Sequence, residues 1–482
     1  MPELTSAALG RDRKRVVLAI CCMSLLIVSL DNTVLNVALP AMQRDLHASV
    51  SGLQWTIDAY TLVLASLLMF AGSTADRIGR RKVFVTGLVL FTLGSLLCSL
   101  APSLETLVGF RMVQAVGGSM LNPVAMSIIT NTFTEPAARA RAIGLWGGVV
   151  GVSMAAGPVV GGLLVDSVGW RAVFWINLPV GLAALLLTLR YVPESKAPRP
   201  RRPDPVGQLL VAAFLGSLTY AIIESSMPFA GVALASLAGL LLYEPRRREP
   251  LIDLRFFRSA PFSGATIIAV CAFAALGGFL FLNTLYLQNV RGLSALDAGL
   301  YMLPMASMTL VFAPLSGRLV GARGPRLPLL IAGTAMAAGC LPFAAFEAET
   351  HDPMLFAGYV VFGIGFGMVN APITNTAVSG MPLSQAGVAS AVASTSRQIG
   401  QTLGVAVVGA VLAAGVGTLS RTEDFVAASR GGYWIMTGCG LCVLLVGALT
   451  SGTWARGTAE RTARRLEAEE TQTPAGAASA SS

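Results

Sequence analysis

Charge is what this sequence has least of. Only 12% of its 482 residues are Asp, Glu, Lys or Arg, against about 25% in a soluble globular protein. A water-soluble fold of this size carries more. Lysine is almost missing: Lys14, Lys82 and Lys196 are the three present. None lies in a G-x(4)-G-K-[ST] loop, which excludes an ATP-driven pump on this chain. The two histidines, His47 and His351, are far apart, and neither G-x-S-x-G nor H-E-x-x-H occurs. The sequence therefore reads as non-enzymatic, with no catalytic residues, cofactor or metal site. Cys21, Cys22, Cys98, Cys271, Cys340, Cys439 and Cys442 all fall in apolar runs. Their odd number and lack of ligand spacing point to packing, not to a disulfide framework.

What is present is apolar length. Hydrophobic residues make up 54% of the chain. Runs of about 20 recur throughout, each enough to cross about 30 Å of hydrocarbon as a helix. Lipid permits only helices or closed barrels, and these runs are too long and too uniform for barrel strands. We expect an all-α membrane protein with spans near 16–39, 51–71, 83–101, 105–127, 141–165, 172–191, 206–224, 229–243, 261–287, 297–317, 327–346, 354–378, 386–414 and 432–454. The first follows Arg11, Arg13, Lys14 and Arg15 as a secretory signal would. Its apolar core exceeds the 7–15 residues of such signals, so it reads as an uncleaved span.

Fourteen spans put residues 1–15 and the tail, 455–482, on one side. That side and its alternate loops hold 27 of the 34 Lys and Arg residues. Positive charge marks the cytoplasmic face, so both termini are expected there. The net charge of +9 then reports topology, not a nucleic-acid surface. The tail, ending TQTPAGAASASS, is low in complexity and expected to be disordered.

An internal repeat divides the chain. GSTADRIGRR (72–81) aligns with GRLVGARGPR (317–326), and GGSMLNP (117–123) with GFGMVNAP (365–372). This gives a six-span half at 16–191, a linker at 192–205, two inserted spans at 206–243, a linker at 244–260 and a second six-span half at 261–454. Two such halves flanking a midplane site are a transporter architecture. Asp76 of the first copy is replaced by Gly321 in the second, so chemistry needing that carboxylate belongs to the first half.

The few charges inside the spans carry the functional reading. An ionised side chain at mid-membrane costs at least about 2.5–3.5 kcal/mol. Asp31, in LDNTVLNVALP, Asp58, in WTIDAY, and Arg111, in RMVQAVGGS, each fall roughly 10–12 Å below the outer rim at 1.5 Å per residue. We expect one buried cluster in which Arg111 neutralises one carboxylate and the other is left to hold a proton or a cation. A purely structural ion pair is the alternative. Glu224 reads as a solvated helix end. Arg397 either lines a cavity or lies against another helix. In GVSMAAGPVVGG, Gly151, Gly157, Gly161 and Gly162 allow close helix approach, and Pro158 removes a backbone donor. In the short loop GSTADRIGRRK, Asp76 is expected to accept bonds from a helix N-terminus and to act as a latch when the halves move.

Together these stretches resemble the major facilitator superfamily, specifically its fourteen-helix drug:proton antiporter branch (EmrB/QacA-type). The loop departs from the family pattern at Thr74 and RMVQAVGG departs at Ala115. The resemblance covers nearly the whole chain and implies two six-helix halves plus two inserted helices. It implies export of amphipathic, cationic drugs or antibiotics in exchange for protons, across a bacterial plasma membrane. Export of one specific metabolite or self-made antibiotic is the second reading. Asp31 and Arg111 would carry proton coupling. Asp58, with Trp55 and Tyr60, would meet substrate. Gly72, Asp76, Arg77, Gly79 and Arg80 would form the latch, and the glycines around Pro158 the hinge. The implied partners are drug, protons and lipid, with no nucleic acid and no obligatory protein.

Overall fold

Lipid offers the backbone no hydrogen-bond partner, and the chain answers with helices alone. The computed structural model describes residues 10–197, 204–247, 250–345, 350–379, 381, 386–415 and 422–478, and among them there is no strand. The first half comprises α1 (Arg11–Leu46), α2 (Val50–Ile78), α3 (Arg80–Ser99), α4 (Leu104–Thr132), α5 (Pro136–Ser167), and the broken sixth span α6 (Ala172–Trp175) with α7 (Asn177–Tyr191). The inserted pair is α8 (Pro205–Ile223) and α9 (Met227–Tyr243). The second half comprises α10 (Ala260–Leu285), the short α11 (Ala295–Tyr301), α12 (Leu303–Arg323), α13 (Arg326–Cys340), α14 (Asp352–Val378), α15 (Ala386–Gly415) and α16 (Thr422–Thr450). Among the described residues, fourteen helical stretches are long and apolar enough to cross a membrane, the number the hydropathy pattern calls for.

Two boundaries differ in an informative way. α1 runs through Pro40 to Leu46, past the expected end at 39, and stops only where His47 turns left-handed at φ 50°. Proline removes one helical bond without ending the helix, because the chain on both sides stays packed. The tail was expected to be disordered, yet α17 (Thr453–Ala478) is helical. Ala455, Ala459, Thr462 and Leu466 are buried at helical spacing, and Thr458 Oγ1 accepts the Ala260 backbone N–H at 2.9 Å.

The repeat appears in the backbone. Gly79 ends α2 with φ +126°, and Gly324 ends α12 with φ +79°, conformations that favour glycine at a helix C-terminus. Pro123 and Pro372 lie inside α4 and α14. The inserted α8 packs across the seam between halves, against α2 and α15. Gln208 of α8 donates to the Ser66 carbonyl, and Trp55 of α2 donates to Glu224 Oε1 at 2.9 Å.

The near face is taken as the one where α1 begins and α16 ends. The described hydrogen bonds between halves all lie toward the opposite, far face. Gln54 Nε2 donates to the carbonyls of Val405, at 3.1 Å, and Ala406, at 2.8 Å. Thr402 bonds Thr61 at 2.7 Å, and Gln288 donates to the Val37 carbonyl at 2.8 Å. One apolar core runs through the far ends of both halves, whereas the near end of the first half has a core of its own. At the near ends of α5 and α12, a Cβ added to Gly144, Gly147, Gly148, Gly317 or Gly321 would meet nothing within 4 Å. The molecule is closed at the far face and open at the near one.

Part of that closure is a helix cap supplied across the seam. Asp166, at the far end of α5, accepts the backbone N–H groups of Ala295 at 3.1 Å and Leu296 at 2.8 Å, where α11 begins. A carboxylate at a helix N-terminus satisfies donors that have no partner in their own helix. Asp166→Ala removes this acceptor, and loss of such a cap costs about 1 kcal/mol. We expect the equilibrium to shift about fivefold toward an open far face. Spin labels at the exposed Val168 and Leu300 should show a larger long-distance population in the variant. An unchanged distribution would deny Asp166 a part in closure.

Candidate functional site

Asp31 and Arg111 meet. Arg111 Nη1 donates to Asp31 Oδ2, and the two side chains are 2% and 0% exposed. At such depth unpaired polar atoms are costly, and the cluster pairs most of its own, leaving Arg111 Nη2 and the Asn177 amide oxygen without a hydrogen-bond partner. Gln114 Nε2 and Asn177 Nδ2 donate to Asp31 Oδ1 at 2.9 and 2.8 Å. Both amides also donate to Ser95 Oγ, at 2.7 and 3.2 Å. Arg111 Nη1 further reaches Gln114 Oε1 at 2.7 Å, Nε donates to the Thr56 carbonyl at 3.3 Å, and the guanidinium lies 4.1 Å from the centre of the Tyr60 ring. Each bond to Asp31 is donated by its partner.

Sequence reasoning missed Gln114, Asn177 and Ser95 as parts of this network. Their signal was polarity within otherwise apolar spans. They come from α4, α7 and α3, so the network ties four helices of one half around a single carboxylate.

Asp58 does not join the cluster. Thr56 and Tyr60, which meet Arg111, share one face of α2, and Asp58, two residues from each, falls on another. It shares its face with Gln54 and Thr61, both bonded to α15. Asp58 is fully buried there, and neither carboxylate oxygen has a hydrogen-bond partner. Equal depth was legible from span arithmetic, but angular position was not. The expected trio of Asp58, Trp55 and Tyr60 is split the same way. Trp55 bonds Glu224 and lies 5.8 Å from the Tyr220 ring of α8, so Glu224 is a tether and not only a solvated helix end. Tyr60 lies under Arg111, and Asp58 faces the seam.

The loop at 72–80 is engaged within its own half. Asp76 Oδ1 accepts from Arg80 Nη2 at 2.8 Å and Nε at 3.1 Å. The Asp76 carbonyl accepts the Ala197 N–H at 3.0 Å, and Arg80 N–H reaches the Ser195 carbonyl at 2.9 Å. The N-terminus of α3 is capped instead by Glu194, whose Oε1 accepts the Arg81 N–H at 3.0 Å. Glu194, a residue of the linker, thus takes the place expected of Asp76. A Cβ on Gly79 would lie 2.6 Å from the Glu194 carboxylate. Gly72 lies against Pro123, and Arg77 is exposed.

On α5 the glycines serve two neighbours. A Cβ on Gly157 or Gly161 would come within 2.0 Å of Thr33 or 3.0 Å of Val34, both on α1. One on Gly151 or Gly162 would meet Leu310 of α12 at 2.8 Å or Ala295 of α11 at 2.5 Å. The Pro158 carbonyl lies 2.3 Å from a Cβ placed on Gly299. α5 is therefore wedged between α1 and the second half, with no room for side chains on either side. Among the described residues no group of three or more His, Cys, Asp or Glu is arranged to hold a metal ion.

A family profile described as Major Facilitator Superfamily matches residues 21–405. The tetracenomycin C resistance and export protein of Streptomyces glaucescens is 38% identical over 424 residues, covering 86% of this chain and 78% of that one. The multidrug resistance protein Stp of Mycobacterium tuberculosis (strain CDC 1551 / Oshkosh) is 38% identical over 401 residues, covering 81% and 74%. The methylenomycin A resistance protein of Streptomyces coelicolor is 35% identical over 397 residues, covering 80% and 82%. Among solved structures, a D-xylose-proton symporter aligns with a TM-score of 0.65 at 15% identity, over 91% of this chain and 97% of that one. A bacterial homologue of the human lysosomal transporter Spinster aligns with a TM-score of 0.62 at 19% identity, over 95% and 99%. These two establish the fold. With the profile spanning most of the chain and the fold agreeing, this multi-pass membrane protein belongs to the major facilitator superfamily.

Proposed function

We propose that this chain exports amphipathic drug-like or antibiotic compounds from a bacterial cell in exchange for protons, by alternating exposure of a site between its halves. The observation that carries the reading is a buried Asp31–Arg111 pair beside a second buried carboxylate, Asp58, that has no partner and faces the seam between halves. The names of the relatives support the substrate class, and the charge bias of the loops supports cytoplasmic termini. The near face is then the cytoplasmic one, and substrate reaches the open side from within.

In the proposed cycle, protons from outside reach Asp31 and Asp58 when the far face opens. Neutralising Asp31 loosens Arg111 and the amides that hold it, and substrate leaves. Closing the far face restores the Gln54 and Thr61 bonds to α15, and protons pass to the cytoplasm. The loop at Gly72–Arg80 latches to the second half when the near face closes, exchanging the internal Asp76–Arg80 pair for contacts there. The tight glycines around Pro158 form the pivot. Export of one specific metabolite or self-made antibiotic is the second reading, favoured by relatives named for single compounds, tetracenomycin C and methylenomycin A.

In proteoliposomes, Asp31→Asn should reduce gradient-driven drug exchange to background while the protein still inserts and folds. Exchange at the wild-type rate would refute the coupling role. Asp58→Asn should impair transport of a cationic dye about tenfold more than that of a neutral drug, the weight of one ionic contact. Equal impairment of both would remove Asp58 from substrate recognition.

A further inference from the structure

The second half contains an arginine that the cycle above does not use. Arg397 is the twelfth residue of α15 (Ala386–Gly415), which places it about 17 Å along the helix from its near end. This is membrane depth. Arg111 is met by a carboxylate, an amide and a backbone carbonyl, although its Nη2 has no hydrogen-bond partner. Among the described residues Arg397 has one polar partner, the hydroxyl of Thr374 on α14, 2.5 Å from its Nη2. Its Nε is buried with no hydrogen-bond partner, and the ring centre of Phe273 on α10 lies 6.0 Å from its Cζ. Among the described residues no carboxylate lies within ion-pair distance of it.

Its surroundings define where it points. α15 packs against α16 on one side and against α10 and α14 on others. Arg397 touches α10 and α14. Thr374 and its neighbour Asn375 are exposed, and they sit in the near half of α14, where the two halves of the protein stand apart. The guanidinium therefore borders the open side, with a hydroxyl and an aromatic face beside it. Among the described residues of the second half's spans, Asp297, Asp352, Glu423 and Asp424 all stand at far ends, and Asp352 is bound to Arg291 at 2.6 Å.

We infer that Arg397 binds an acidic group of the transported compound, a carboxylate, sulfonate or acidic phenol, with Thr374, whose hydroxyl accepts from Nη2 and donates to the Asn370 carbonyl at 3.3 Å, holding the guanidinium in place and Phe273 as an apolar flank. This rests on the export reading above and narrows its substrate class. A guanidinium fork matches a planar anion with two parallel bonds, and partial desolvation strengthens them. Asp58 sits on a different helix, nearer the far face.

The test is equilibrium binding to the purified full-length protein in phosphatidylcholine nanodiscs, without a gradient, using fluorescein as the anionic probe and ethidium as the cationic one. The wild type should bind fluorescein. Arg397→Gln should weaken it at least about tenfold, the size of one charge-assisted hydrogen bond, and leave ethidium within about twofold. Arg397→Lys should retain part of the affinity. Thr374→Val, which keeps the guanidinium but removes the hydroxyl that holds it, should weaken fluorescein by about threefold. Failure of the wild type to bind fluorescein, or equal weakening of both dyes by Arg397→Gln, overturns the assignment. A fluorescein loss seen only when phosphatidylglycerol is added to the nanodiscs also overturns it, since the guanidinium would then serve a lipid headgroup. Because no gradient is applied, these results stand apart from the exchange assay on Asp31.

Discussion

The bond between Arg111 and Asp31 sets the terms for the rest of this molecule. Neither ion is affordable alone in a medium without water. Removing one partner of a buried pair leaves an uncompensated charge worth about 3–5 kcal/mol. The pair alone does not satisfy the remaining polar atoms, which is why Gln114, Asn177 and Ser95 are gathered around it. Five side chains from four helices (α1, α3, α4 and α7), with α2 joined through the Thr56 carbonyl, are thereby fixed in one arrangement. An arrangement with a single charge state as its foundation changes when that charge is neutralised. In the proposed cycle, this is the route by which one proton acts on a whole half of the protein.

α2 carries that influence to the seam. Three of its faces have three different partners: Trp55 holds the inserted α8, Tyr60 lies under Arg111, and Gln54 and Thr61 bond α15. A rotation or tilt of α2 that follows loss of the Arg111 contacts disturbs the α15 bonds as well. Asp58 stands among those bonds with no partner of its own. α8 spans α2 and α15 on the outside of the same seam, so the inserted pair moves with the interface or restrains it. On the opposite seam, α5 has no such cover and relies on glycine contacts with α1, α11 and α12.

The fold was largely legible in the sequence because lipid leaves few choices. Fourteen apolar lengths, a charge bias between alternating loops and two repeated stretches determined helix number and the division into halves. Depth brought Asp31, Asp58 and Arg111 to one level, since each helix advances by a fixed rise per residue, but left open which carboxylate meets Arg111. What depth does not specify is direction around the helix axis. Asp58 lies at the right level but on a face turned to α15, and only the packing of α2 against its neighbours decides that. The same limit hid Asp166 and Glu194, whose bonds go to backbone N–H groups of helices distant in sequence. The tail was misjudged for another reason. Its polar, small-residue composition suits disorder in isolation, but Ala455, Ala459 and Leu466 find a surface on the second half to cover.

The repeat makes the division of labour between halves explicit. Where α4 supplies Arg111 to Asp31 of α1, the matching helix α14 supplies Tyr359 to Asn283 of α10, hydroxyl to amide oxygen at 2.9 Å, both residues fully buried. Aligning Gly117 with Gly365 places Arg111 over Tyr359. The bridge between first and fourth helices is thus kept in the second half, but in a form that no proton can neutralise near physiological pH. Asp76 gives way to Gly321 in the same sense. The first half holds the buried carboxylates Asp31 and Asp58, and the second is stiffened by Phe279 stacked on Phe362 at 4.2 Å. A charge such as Arg397 in that second half is then not part of a matched ionic pair inherited from the repeat. It stands where the first half has no counterpart in its own network, and the partner proposed for it is the acidic group of a bound compound.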